Sequence, residues 1–152
     1  GEDELLAQVP AEGREEVRKA EFDLQVAQEK LKLAEMKSEL ASLQKKRADY
    51  AEDMADKYQD QAEVGVELTK VEAIDRAGLG EREDNINKIA DLKGKKLKIE
   101  AEIIKFEAKR DTTEEKINGL IREIEEQETK IINLQAAGVP EAEKTDEEPA
   151  EK

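Results

Sequence analysis

The chain has 152 residues, of which 43% are charged and 3% aromatic, with no Trp, Cys or His. With 40 acidic against 26 basic residues, the formal net charge of -14 excludes the basic footprint of a nucleic-acid binder and disfavours anionic membrane surfaces. Large apolar side chains are too few for a compact core, but Leu, Ile and Val recur at regular spacings in an Ala/Glu/Lys-rich background, which is the mark of long helices and coiled coils.

Pro10 interrupts the first segment, so residues 1–14 read as a short N-terminal extension, a turn or frayed end. From 15 to 75 there is no proline and a single glycine, Gly65, which predicts one long helix. Its apolar seam is Phe22, Val26, Leu33, Met36, Leu40, Leu43, Tyr50, Met54, Val64, Leu68 and Val71, interrupted by Glu29, Arg47, Lys57 and Gln61. The three-four spacing is that of a coiled-coil face. Lys57 and Gln61 would face isoleucines, so a local drift of the seam toward Tyr58 and Ala62 is expected there.

Residues 76–82 form the predicted turn, with Gly78 and Gly80 flanking Leu79. Glycine reaches positive φ without steric cost, so the chain is expected to reverse there, with Leu79 capping the end of the stem. A second helix is predicted over 83–137. Its seam runs through Ile89, Leu92, Ile99, Ile103, Phe106, Ile117, Leu120, Ile124, Ile131 and Leu134, and its polar members are Lys96, Arg110, Thr113 and Gln127. Gly138 and Pro140 then signal the helix end, and residues 138–152 read as a disordered acidic tail.

Two seams joined by a glycine-bearing turn predict an all-α fold, a long antiparallel two-helix coiled-coil hairpin. The register follows from arithmetic, because facing residue numbers in such a pair add to a constant. Leu68 with Leu92, Met54 with Phe106, Leu43 with Ile117 and Met36 with Ile124 all add to 160. A slip of one heptad would set Leu43 against Arg110 and Val26 against Gln127. The unslipped register places Arg47 against Thr113 as a polar layer, with Arg47 and Arg110 either buried to fix register or snorkelling to water. Gly65 and Gly94 come level with each other, where they either admit a close backbone approach or soften the helices.

A second stripe on the first helix, Ala20, Leu24, Ala27, Leu31, Ala34, Ala41 and Ala48, lies nearly opposite its seam. The second helix carries Leu97, Ala101, Ile104 and Ala108, with Ile121 and Ile132 beyond. Alanine tolerates solvent, but Leu24, Leu31, Leu97 and Ile104 in ordered rows suit a contact surface. Ala20, Leu24, Ala27, Leu31, Ala34, Ala41, Leu97 and Ile104 are therefore the candidate protein-interaction residues, and a dimer of hairpins is the expected partner arrangement.

Chemistry is sparse. Without His or Cys, the thiolate nucleophile, the Cys/His zinc site and the usual neutral-pH base are gone. Gly78-Leu79-Gly80 opens like a phosphate-binding glycine loop, but residue 83 is Glu and no strand precedes it. No stretch has calcium-loop spacing. No catalytic residue, cofactor or metal is expected, and no segment reaches the ~18 apolar residues of a membrane span. The expected function is a non-enzymatic spacer, scaffold or oligomerisation module. The alternative is a holdase-like or adaptor hairpin gripping protein segments, with a charge mimic of acidic ligands as a third reading.

The hairpin resembles those of periplasmic chaperones and efflux-adaptor stems in architecture. The basic character of the best-known chaperone of that kind is not shared by this acidic chain. Absence of an initiator Met and of Cys suits an exported bacterial envelope or periplasmic protein, and a trimmed cytoplasmic one as well; a signal peptide or lipid anchor would lie ahead of Gly1.

Overall fold

The structure is a computed structural model that describes residues 1–142. The greater part of the tail expected over 138–152 lies outside the described residues. Three helices are present, α1 (Glu2–Ala7), α2 (Ala11–Arg76) and α3 (Arg82–Ala137), and α2 and α3 pack against each other as an antiparallel hairpin. No strand occurs among the described residues.

The N-terminal extension is more ordered than the sequence suggests. Glu2, Asp3 and Glu4 crowd the first turn of α1, where the helix dipole favours negative charge. Pro10 then marks a start rather than an interruption, since its carbonyl accepts the Arg14 N–H at 3.1 Å and α2 begins at Ala11, four residues before the expected boundary. Val9 folds over the first turn of α2. A Cβ on residue 13 would fall 2.5 Å from Val9 Cγ1, so only glycine leaves room there.

The turn at the far end of α2 is a Schellman motif, in which the Gly78 N–H donates to the Asp75 carbonyl at 3.0 Å and the Leu79 N–H to the Ile74 carbonyl at 3.1 Å. Gly78 and Gly80 take φ of 72° and 71°, as the reversal requires. Gly138 closes α3 in the same left-handed conformation, its N–H bonded to the Leu134 carbonyl at 3.2 Å.

The residues form two units, Gly1–Glu39 with the described part of Leu120–Lys152, and Leu40–Gly119. In the first unit, Val26 is buried and Phe22, Leu33 and Met36 are half-buried, with Ile124 and Ile131 buried on α3. In the second, Met54, Leu68, Leu92, Ile103 and Ile117 are buried, while Leu43, Tyr50, Val64, Val71, Ile89, Ile99 and Phe106 are half-buried. Every apolar seam position read from the spacing is thus withdrawn from solvent.

Candidate functional site

Polar seam positions are handled by reach rather than by drift. Tyr58 and Ala62 remain exposed, so the seam does not shift toward them. Lys57 instead extends to Glu102 at 3.0 Å, and Gln61 donates to Glu100 at 3.5 Å. Arg47 passes over Thr113 to pair with Glu114 at 3.1 Å, and Arg110 turns to its neighbour Asp111 at 3.3 Å. Both arginines therefore snorkel, and the Thr113 hydroxyl satisfies itself by donating to the Lys109 carbonyl at 2.9 Å. The numbers in these three pairs, all within the second unit, add to 161, 159 and 161, which supports the 160 register there.

A polar knot lies in the first unit. Gln127, buried on the seam, donates to the Glu29 backbone carbonyl at 3.0 Å and to its carboxylate at 2.6 Å, and Lys130 adds an ion pair at 3.2 Å. The Gln127 and Lys130 donors hold the Glu29 carboxyl below its ordinary 4.5, and Lys57 does the same for Glu102. Lys57 is in turn raised above 10.5 by Glu102.

The sign of the pH dependence follows. A carboxyl whose folded value is depressed contributes in full above its unfolded value, and that contribution is lost as pH falls through the folded value. The raised Lys57 contributes below 10.5 and loses its contribution as pH climbs past its folded value. Stability by urea titration is expected to fall below pH 4.5, and Glu29→Gln to flatten that acid limb. An unchanged acid limb in this variant would remove the role given to the knot.

The turn holds a residue that was not singled out from the sequence. Leu79 does not cap the stem, being 62% exposed. The space is filled by Asn85, 7% exposed, whose Nδ2 donates to the Leu79 carbonyl at 2.9 Å and contacts Asp75 Oδ1 at 3.4 Å. The signal was available: stepping back from Leu92 and Ile89 on the three-four spacing lands on Asn85, and its partner in the 160 register is Asp75.

The candidate interaction residues are placed as follows. Ala20, Leu24, Ala27, Leu31 and Ala34 line α2 in the first unit, all exposed; Ala41 on α2 and Leu97 and Ile104 on α3 belong to the second, also exposed. Leu24, Leu31, Leu97 and Ile104 expose 58%, 60%, 67% and 65% of their surface. Within the second unit, Leu97 and Ile104 stand level with residues 63 and 56 of α2, away from Ala41. The five in the first unit form one row along α2, and the three in the second unit do not form one patch.

Among the described residues no group of three or more His, Cys, Asp or Glu is arranged to hold a metal ion, and no helix is long and apolar enough to cross a membrane. Comparison with family models, with curated proteins and with solved structures finds no match to this chain.

Proposed function

We propose that the protein is a non-enzymatic structural module, a coiled-coil hairpin serving as spacer or scaffold that self-associates through its outward aliphatic rows. The observation that carries this reading is the exposure of Leu24 and Leu31 on consecutive heptads of one helix face, flanked by Ala20, Ala27 and Ala34. Alanine alone is explained by helix propensity, but two leucines that gain nothing from the hairpin are not. Apolar rows of this kind stabilise association when a second surface removes them from water.

Light scattering after size exclusion is expected to give a dimer of hairpins at micromolar concentration, and Leu24→Glu with Leu31→Glu is expected to give a monomer of unchanged helicity. A monomer for the parent chain at high micromolar concentration would sink the self-association. The same rows support a holdase-like or adaptor reading. It calls for suppression of a denatured client's aggregation, lost in the double Glu variant, whereas a scaffold is indifferent to unfolded chains. A partner held by net charge alone is expected to leave in moderate salt.

A further inference from the structure

We infer that the second unit contains a compliant joint, residues 57–65 of α2 with 94–103 of α3, which opens locally while the layers on either side stay closed. This goes beyond the scaffold reading, since a stem built only for stiffness gains nothing from such a segment.

Three successive layers of the 160 register, Lys57 with Ile103, Gln61 with Ile99 and Val64 with Lys96, each carry a polar side chain. Of these six residues only Ile103 is buried, and Lys96 is exposed despite its seam position. Lys57 and Gln61 lean outward to Glu102 and Glu100, so their heads stay with water, and the 3.5 Å Gln61 bond is at the limit of hydrogen-bonding distance. A layer that cannot exclude water contributes little to holding two helices together.

Gly65 and Gly94 sit level with each other at one edge of this segment. A Cβ on either would meet nothing within 4 Å, so neither glycine serves a close approach of the helices. What remains is backbone freedom, at the loss of helix propensity.

Both flanks differ. Toward the turn, Leu68 and Leu92 are both buried, Val71 and Ile89 follow, and Asn85 locks the reversal. On the other side lies buried Met54 with half-buried Phe106; the next two layers, Tyr50 with Arg110 and Arg47 with Thr113, are polar, but none of their four residues is exposed, and Ile117 follows them. Local opening free energy follows buried apolar contact, so the minimum falls between the two closed blocks.

Hydrogen exchange at residue resolution on the full chain tests this. Amides of 60–66 and 96–101 are expected to exchange at least ~10-fold faster than those of 50–56 on one side and of 68–74 and 88–92 on the other. Gly65→Ala combined with Gly94→Ala is expected to slow the joint by about 20-fold while leaving 43–54 unchanged. Equal protection of joint and flanks, or a variant that slows all segments alike, overturns the inference.

Discussion

Ile117→Ala is expected to destabilise the protein by about 3 kcal/mol, the largest loss from any single truncation of the seam. Ile117 is 2% exposed, the most enclosed large side chain among the described residues. In the 160 register it lies level with Leu43, and Thr113 one turn away is also buried. Truncation removes three carbon atoms from a site walled by two helices that are already in contact. The cavity cannot collapse without bending one of them, so the transfer loss and the void add. Urea unfolding followed by helical ellipticity measures the change. Ile132→Ala, at a position 64% exposed, is the control and should stay within about 0.5 kcal/mol of the parent. Similar losses at the two positions would show that the hairpin does not bury Ile117.

The second large effect belongs to the turn, where the two left-handed glycines are not equivalent. Gly78→Ala is expected to cost about 1 kcal/mol, because φ of 72° strains an L side chain but a Cβ there meets nothing within 4 Å. Gly80→Ala is expected to cost about 2 kcal/mol or more, since the added strain comes with a contact. Its Cβ would stand 3.3 Å from Asn85 Oδ1 and 3.4 Å from Nδ2, close enough to push the amide that bonds the Leu79 carbonyl by a few tenths of an ångström. The two effects share one partner. A cycle with Asn85→Ala should therefore be less than additive for Gly80→Ala and additive for Gly78→Ala. Equal losses at the two glycines would mean that Asn85 does not lock the reversal.

Much of the fold was legible because helical phase is a local property. The seams needed only the spacing of Leu, Ile, Val, Met and aromatic residues along each helix, and the register needed only that the two lists be added. What the spacing could not convey was the reach of long polar side chains. Lys57 and Gln61 suggest a drift of the seam because the register sets them directly opposite Ile103 and Ile99. The real partners, Glu102 and Glu100, sit one residue to the side, where a flexible stem delivers the charged head at little loss of backbone geometry. Arg47 bypasses Thr113 for the same reason.

At the ends, short-range sterics outweighed propensity. Pro10 reads as a breaker by propensity, whereas a residue with no N–H is well suited to precede a helix, and Gly13 makes room for Val9 to fold back. Leu79 reads as the cap of the stem from its place between the glycines, but its carbonyl is bonded by a side-chain donor, which Asn85 supplies and leucine cannot. The candidate interaction residues are all exposed. Their division between the two units followed from contacts that no single-helix reading contains.

The placement of the cross-helix contacts also bears on how the chain finds its structure. Asn85 reaches a carbonyl only 6 positions away, whereas Gln127 and Lys130 meet Glu29 across 98 and 101. Closing the long span first would forfeit much more chain entropy than closing the short one, and every rung formed beside the reversal shortens the span still open. Zipping from the glycines outward is therefore the expected order, and damage at Gly80 should register in the rate of folding and damage at Glu29 in the rate of unfolding, as stopped-flow measurement of both arms would read.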